Sequence, residues 1–204
     1  MSKIILSNKG FTLMEVLVAM GIFSLISTAI VGLFVYSIKS NKIVWEQLST
    51  QNEGRKITQD FVNELRSATY SSIGAYPLET AQDSQIIFYS NVDADILRER
   101  VRYFLEGNTL KKGIIKPTGN PLIYVTSTES ISEMVHDVYN TTTPIFYYYD
   151  QNYGYTNSLP LSQPVSITAV RMVGFVLELE EDPSSSPVPF HIETKAVIRN
   201  LKSN

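Results

Sequence analysis

The chain begins with a long apolar segment and continues into an amphipathic one. From Phe11 to Tyr36, 26 residues contain a single acidic or basic side chain, that of Glu15. As a helix this segment would be about 39 Å long, enough to cross the ~30 Å hydrocarbon core of a bilayer. The pattern therefore predicts a membrane-spanning helix over 11–36.

Beyond Tyr36 the apolar residues recur at about the helical period, with charged residues between them. These apolar positions are Val44, Leu48, Ile57, Phe61, Leu65 and Ala68. Because no proline occurs before Pro77, we predict one helix from about Thr12 to about Ser71, in which 37–71 is the amphipathic half. Gly54 is its weak point, since glycine costs roughly 1 kcal/mol relative to alanine inside a helix.

From residue 72 the pattern changes to short apolar or aromatic runs separated by turns, which predicts a β-rich head over 72–204. The expected strands are 85–90, 101–105, 109–115, 144–150, one centred on 172–179, and 190–199. Glu106-Gly107-Asn108 supplies a hairpin turn. Segment 130–139 fits a short helix or a poor strand, 151–164 a loop and 182–189 a Pro/Ser turn.

The last two predicted strands form a long antiparallel pair in this interpretation. In the final one, alternate residues face one way: Ile192, Thr194, Ala196 and Ile198. The predicted fold class is therefore α+β, with a long N-terminal helix packed on a C-terminal antiparallel β head.

The residues before the apolar segment suggest a protease boundary. Met1–Gly10 is a polar leader with Lys3 and Lys9, and its glycine directly precedes Phe11. A carboxylate such as that of Glu15 costs on the order of 2.5–3.5 kcal/mol when it lies deep and unpaired in a membrane. Cleavage after Gly10 would create an α-ammonium on Phe11, one helical turn from Glu15.

The run Gly10-Phe11-Thr12-Leu13-Met14-Glu15-Val16-Leu17 resembles the class III signal sequence of type IV pilin-like proteins. This resemblance implies that a prepilin peptidase removes leader 1–10 by cutting between Gly10 and Phe11 and then methylates the new amine. It also implies that Glu15 pairs with the Phe11 ammonium of a neighbouring subunit during filament assembly. Each charge is costly alone in a low-dielectric bundle, so the pair would check the register of assembly.

The rest of the chain is similar, more diffusely, to minor pseudopilins of the J class in type II secretion. The similarity lies in the 59–68 helix end, the 106–108 hairpin, the aromatic 144–150 strand and the Arg199-Asn200-Leu201 ending. One departure is Gly32, where many pilins carry proline, so a proline kink is absent. The resemblance implies a single-pass inner-membrane protein with an extracytoplasmic head, whose partners are other pilin subunits, an inner-membrane assembly platform and the lipid bilayer.

Two other interpretations fit the N-terminal segment less well. An ordinary secretory signal has an apolar core of about 7–15 residues and a small-residue cleavage site. The core here is longer, and no A-x-A pattern follows it before Lys39. A plain signal anchor with an incidental glutamate is the other interpretation, but a carboxylate in a membrane helix usually marks function.

Composition narrows the function classes. The formal net charge is −3, and it becomes −5 without Lys3 and Lys9. A mildly acidic chain is unlike a general nucleic-acid binder, so no nucleic-acid partner is expected. The chain has no cysteine, which excludes disulfides and thiolate metal sites.

Few residues form a pattern typical of catalysis or metal binding. His136 and His191 are far apart in sequence and lack neighbouring ligands. Asp93 and Asp95 could offer oxygens to calcium, but the segment lacks the glycine and distal glutamate of an EF-hand loop, so a solvated turn is the preferred interpretation. We expect no enzyme activity and no cofactor or metal, because no nucleophile, phosphate-binding or zinc motif is present.

Two further features each allow more than one interpretation. An acidic cluster at the end of a strand could bind calcium or a basic partner, although a solvated edge is preferred; it comprises Glu178, Glu180, Glu181 and Asp182. The aromatic run Phe146–Tyr149, followed by Tyr153 and Tyr155, fits a contact surface and a buried strand equally well.

The leading functional hypothesis is a structural subunit of a type II secretion pseudopilus or a type IV pilus. Its 204 residues favour a minor, tip-proximal subunit that primes assembly over a major one. The alternative is a minor pilin whose head binds DNA or another external ligand, as in competence or adhesion. A membrane-anchored enzyme is the third class, for which no convergent catalytic groups are found.

Overall fold

The computed structural model describes residues 10–93, 95–180 and 189–201, with the backbone but not the side chain of Glu46. The chain divides into two units, with the boundary between Trp45 and Glu46. The N-terminal unit ends at Trp45, and the C-terminal unit starts at Glu46. Helix α1, Leu13–Arg66, is the α-helix of the described residues and contributes to both.

In the N-terminal unit, α1 has an apolar surface. Its large side chains are exposed, with Phe11 at 87% and Phe23 at 73%. Within the described part of the chain, α1 is the one helix that is long enough and apolar enough to cross a membrane. A surface of this kind is stable in lipid or against other apolar helices rather than in water.

Helix α1 ends at Arg66, so the predicted end at Ser71 is wrong by five residues. Beyond Arg66 the backbone bonds to other elements: the Thr69 N–H donates to the Tyr89 carbonyl at 2.9 Å. The Asn200 side-chain amide donates to the Ala68 carbonyl at 2.8 Å. These tertiary hydrogen bonds satisfy groups that another helical turn would have used.

The first sheet of the C-terminal unit has five antiparallel strands in chain order. They are β1 Leu78–Ala81, β2 Gln85–Ser90, β3 Glu99–Glu106, β4 Thr109–Ile115 and β5 Ser130–Val135. The predicted hairpin joins β3 to β4 through Gly107, whose φ of 60° suits glycine. Segment 130–139, left open between helix and strand, forms β5 over its first six residues. Strand β1 was not predicted.

The second sheet has three antiparallel strands in the order β6, β7, β8. Their bounds are β6 Phe146–Tyr149, β7 Met172–Leu179 and β8 Phe190–Val197. The long antiparallel pair of β7 and β8 is confirmed, in a register from Leu179↔Phe190 to Met172↔Val197. Short 3-10 turns occur at Thr126–Thr128 and Arg199–Leu201. Most of the predicted Pro/Ser turn, residues 182–188, lies outside the described residues.

The C-terminal part of α1 packs between these sheets through Phe61. The Phe61 ring lies 5.2 Å, between centroids, from Tyr103 of the first sheet and 4.6 Å from Phe175 of the second. Phe146 and Tyr148 of β6 are also buried, so the aromatic strand belongs to the core. Tyr155 is 90% exposed and does not. The α+β fold predicted from the sequence is confirmed.

At Gly54, α1 lies directly against side chains of the second sheet. A Cβ at this position would collide with Cδ1 of Ile192 and lie 3.1 Å from Cδ1 of Leu179. Glycine is therefore required here for packing. From the sequence alone, Gly54 indicated only a position of low helix propensity.

A polar contact fixes α1 on the first sheet one turn beyond Phe61. The Glu64 carboxylate accepts hydrogen bonds from Tyr103 at 2.8 Å and from Lys112 at 2.5 Å. Burial, followed by the charge of Glu64, raises the pKa of Tyr103 far above its ordinary value, so the phenol remains a proton donor. The contact sets the rotation of α1 relative to β3 and β4.

Candidate processing and assembly site

The Gly10–Phe11 peptide bond lies just before α1, at the start of the described residues. Gly10, Phe11 and Thr12 have no helical structure, and all three are exposed. Apart from its neighbours in the chain, no described residue has an atom within 4 Å of where a Cβ on Gly10 would be. A peptidase needs access to the bond that it cuts, and the residues that form this bond, Gly10 and Phe11, are both exposed.

Thr12 and Glu15 form a reciprocal cap at the start of α1. The Thr12 N–H donates to Oε2 of Glu15 at 2.8 Å, and the Thr12 hydroxyl donates to the same oxygen at 2.9 Å. In return, the Glu15 N–H is 3.3 Å from the Thr12 hydroxyl oxygen. This geometry is a capping box, in which two N–H groups that the helix leaves unpaired are satisfied.

The capping box gives Glu15 a local role that the sequence reasoning missed. The signal was present, since a threonine followed three residues later by glutamate before an apolar run is typical of a helix start. Glutamine forms the same box without a charge. Any assembly role of the Glu15 charge can therefore be separated by substitution from its capping role.

Asp93 and Asp95 lie beside Glu99, the first residue of β3. One carboxylate oxygen from each of the three lies within 4.8 Å of one from each of the others, which is the only such group of three metal-ligating side chains in the described chain. Lys116 forms an ion pair with Asp93. The sequence pattern did not single out Glu99, because its approach to Asp93 and Asp95 exists only in the folded chain.

The structure does not bring the two histidines together. His136 follows β5, 3.3 Å from the Thr109 hydroxyl through Nδ1, whereas His191 lies on β8 of the other sheet, 3.9 Å from a Glu178 oxygen. Each is more than half exposed and has one carboxylate neighbour. Neither belongs to a metal-binding group among the described residues.

The acidic strand end is only partly described. The Glu178 N–H bonds to the Asn140 side-chain oxygen at 2.8 Å, and the Glu180 N–H bonds to the Asp137 carbonyl at 2.9 Å. Glu181 and Asp182 lie outside the described residues. These two bonds are made by backbone N–H groups, and they hold the end of β7 against Asp137 and Asn140.

Comparison with known proteins bears on the N-terminal segment. Residues 5–31 match the family described as the prokaryotic N-terminal methylation motif. The chain carries an N-methylation prepilin motif. This match confirms the resemblance predicted from the Gly10–Leu17 run. The prepilin motif, together with the long apolar helix that follows it, fits a membrane-anchored pilin.

Among solved structures, the chain is similar to one in "The Crystal Structure of the GspK-GspI-GspJ complex from enterotoxigenic Escherichia coli Type 2 Secretion System". The two share 12% identity, with 74% of this chain and 97% of that chain covered and a TM-score of 0.44. A similarity at this level does not identify the chain. No curated protein matches it.

Proposed function

We propose that this chain is a structural subunit of a type II secretion pseudopilus or a type IV pilus, cleaved between Gly10 and Phe11 and methylated on Phe11. The prepilin motif over residues 5–31 is the observation that carries the proposal. The exposure of Gly10 and Phe11, and their position outside α1, support it. A prepilin peptidase is the partner that this processing requires.

Glu15 acts in assembly through its charge. After cleavage, the Phe11 ammonium of one subunit and the Glu15 carboxylate of another neutralise each other inside a bundle of apolar helices. Subunits in another register leave two unmatched charges in a low-dielectric environment, which is unfavourable. The apolar surface of 11–36 supplies the packing, and the charge pair selects the register.

The chain has a structural rather than a catalytic role, spans the inner membrane once and has its C-terminal unit outside the cytoplasm. It is a minor subunit near the filament tip that primes assembly on an inner-membrane platform. Its size supports this position, since 204 residues exceed what we expect of a major subunit.

Replacement of Glu15 by glutamine tests the assembly role. Glu15→Gln keeps the capping box and removes the charge, whereas Thr12→Val removes the capping hydroxyl and keeps the charge. We expect Glu15→Gln to be cleaved and inserted in the membrane. With a photo-crosslinking amino acid placed at the exposed position Ile22, its yield of crosslinks to filament partners should fall at least about tenfold. An unmatched charge in a buried pair costs roughly 2–5 kcal/mol.

Thr12→Val is the matched control and should retain most crosslinking, since it weakens the cap by only about 1 kcal/mol. Glu15→Leu removes both cap and charge and should be no better than Glu15→Gln. Wild-type crosslinking by both Glu15→Gln and Glu15→Leu would show that the carboxylate is incidental and that register is set otherwise.

A further inference from the structure

Three carboxylates converge where the chain enters β3. Asp93 and Asp95 come from the preceding loop and Glu99 from the strand itself, and their nearest oxygens lie within 4.8 Å of one another. Asp93 and Asp95 are exposed, while Glu99 is 0% exposed. The group is therefore a shallow site with a buried carboxylate at its base.

The Glu99 carboxylate is only half satisfied. Its Oε2 accepts a hydrogen bond from the Val92 N–H at 3.0 Å. Its Oε1 is buried and has no hydrogen-bond partner in the described part of the chain. An unpaired buried carboxylate oxygen is costly, and two nearby carboxylates increase that cost. Burial first, and the charges of Asp93 and Asp95 as well, raise the pKa of Glu99.

One cation already lies at the mouth of this group. The Lys116 ammonium bonds to Oδ2 of Asp93 and lies 3.8 Å from Oδ2 of Asp95. The Lys116 side chain is 59% exposed, so it can leave without disturbing the core. A single ammonium balances one of three carboxylates, and no ion pair links it to Glu99 among the described residues. The group therefore has enough uncompensated negative charge to hold a divalent cation.

We propose that Asp93, Asp95 and Glu99 bind a divalent cation, Ca²⁺, which displaces the Lys116 ammonium. Carboxylate oxygens are the ligands that calcium prefers, and calcium accepts irregular geometry with water in its remaining positions. The buried Glu99 carboxylate gains a cationic partner, and Asp93 and Asp95 become tied to the first residue of β3. This site is independent of the processing and assembly role proposed above.

Calcium titration of the full-length protein tests the proposal. The protein, purified in detergent and stripped of metal, is titrated with calcium chloride in a calorimeter. We expect one site per chain, with a dissociation constant of about 10⁻⁴–10⁻³ M, the range of exposed extracellular calcium modules. Magnesium should bind more weakly, because it needs a near-octahedral site.

The chain provides a matched control around Lys111, which lies 2.8 Å from Glu106 and 3.2 Å from Glu133. That group also has a lysine between two acidic side chains, but it is not among the described groups of three. Asp93→Asn with Asp95→Asn should weaken calcium binding at least tenfold. Glu106→Gln with Glu133→Gln, which removes the same number of charges, should leave it unchanged.

Lys116→Gln separates a calcium site from a purely structural ion pair. If the ammonium competes with calcium, Lys116→Gln should bind calcium several-fold more tightly than wild type. If Glu99 is simply protonated and Lys116 only fastens the loop, wild type and Lys116→Gln will show no calcium heat while circular dichroism shows both folded. That result, or equal binding by both double variants, would overturn the proposal.

Discussion

At the scale of single residues, Phe61 links the two sheets of the C-terminal unit, because its ring contacts both of them. It packs on Tyr103 of β3 and on Phe175 of β7. Phe61→Ala should lower the free energy of unfolding by about 3–5 kcal/mol, through lost burial and a cavity. Urea unfolding followed by near-ultraviolet circular dichroism measures this. Phe23→Ala, at an exposed position of α1, is the control and should change it little.

A second residue-scale prediction concerns pH and Glu79 of β1. Burial alone would raise the pKa of Glu79, but hydrogen bonds from Arg100 on β3 and Tyr89 on β2 outweigh it and hold the pKa below its ordinary value. The Arg100 bonds are 2.7 and 2.8 Å long. A carboxylate with a lowered pKa stabilises the fold above its unfolded pKa of about 4.3. That contribution disappears as the pH falls through the lower, folded pKa.

Glu79→Gln should therefore lose stability at neutral pH and show a smaller further loss on acidification than wild type. Urea midpoints measured between pH 7 and strongly acidic pH decide this. Parallel pH curves for the two proteins would show that the cross-strand contact of Glu79 with Arg100 contributes nothing.

At the scale of elements, the contact of α1 with β8 depends on Gly54. Helix propensity favours alanine there by roughly 1 kcal/mol. The Ile192 and Leu179 methyl groups occupy the space that a Cβ needs. Gly54→Ala should therefore not stabilise the protein. Ile192→Val removes the colliding methyl, and in that background Gly54→Ala should gain about 1 kcal/mol in urea unfolding. Additive effects of the two substitutions would show that the contact is not limiting.

Strand and helix periodicity predicted most elements, because those elements have one buried face. The β4 bounds, the β3–β4 hairpin and the alternation in β8 all followed from such patterns. Strand β1 was missed because Leu78–Ala81 has four residues and little β-branched character. Strand β5 stayed ambiguous because its first four residues are exposed. The end of α1 is fixed by hydrogen bonds to distant Tyr89 and Asn200, which no local pattern contains.

The same distinction holds for the sites. Gly10, Phe11 and Glu15 could be proposed from sequence because they belong to one contiguous motif. Glu99 could not, because its burial and its approach to Asp93 exist only after β3 has joined the sheet. Glu64 and Lys112 are likewise 48 residues apart and meet through packing alone.

At the scale of the whole molecule, the C-terminal unit should fold without the apolar segment. Its buried apolar side chains begin at Ile57, so a fragment starting near Lys39 keeps all of them. We expect this fragment to be soluble, monomeric or weakly associating, with a circular dichroism spectrum of mixed helix and strand. A disordered fragment, or an almost wholly helical one, would contradict the described fold.

The most direct test of the central claim is the mass of the protein extracted from membranes of a cell with an active prepilin peptidase. We expect a chain that begins at Phe11 and carries a methyl group on its amine. Gly10→Ala should be cut as well, since the site has room for a Cβ, whereas Gly10→Glu should stay uncut. A wild-type chain that retains residues 1–10 in that membrane would contradict the account.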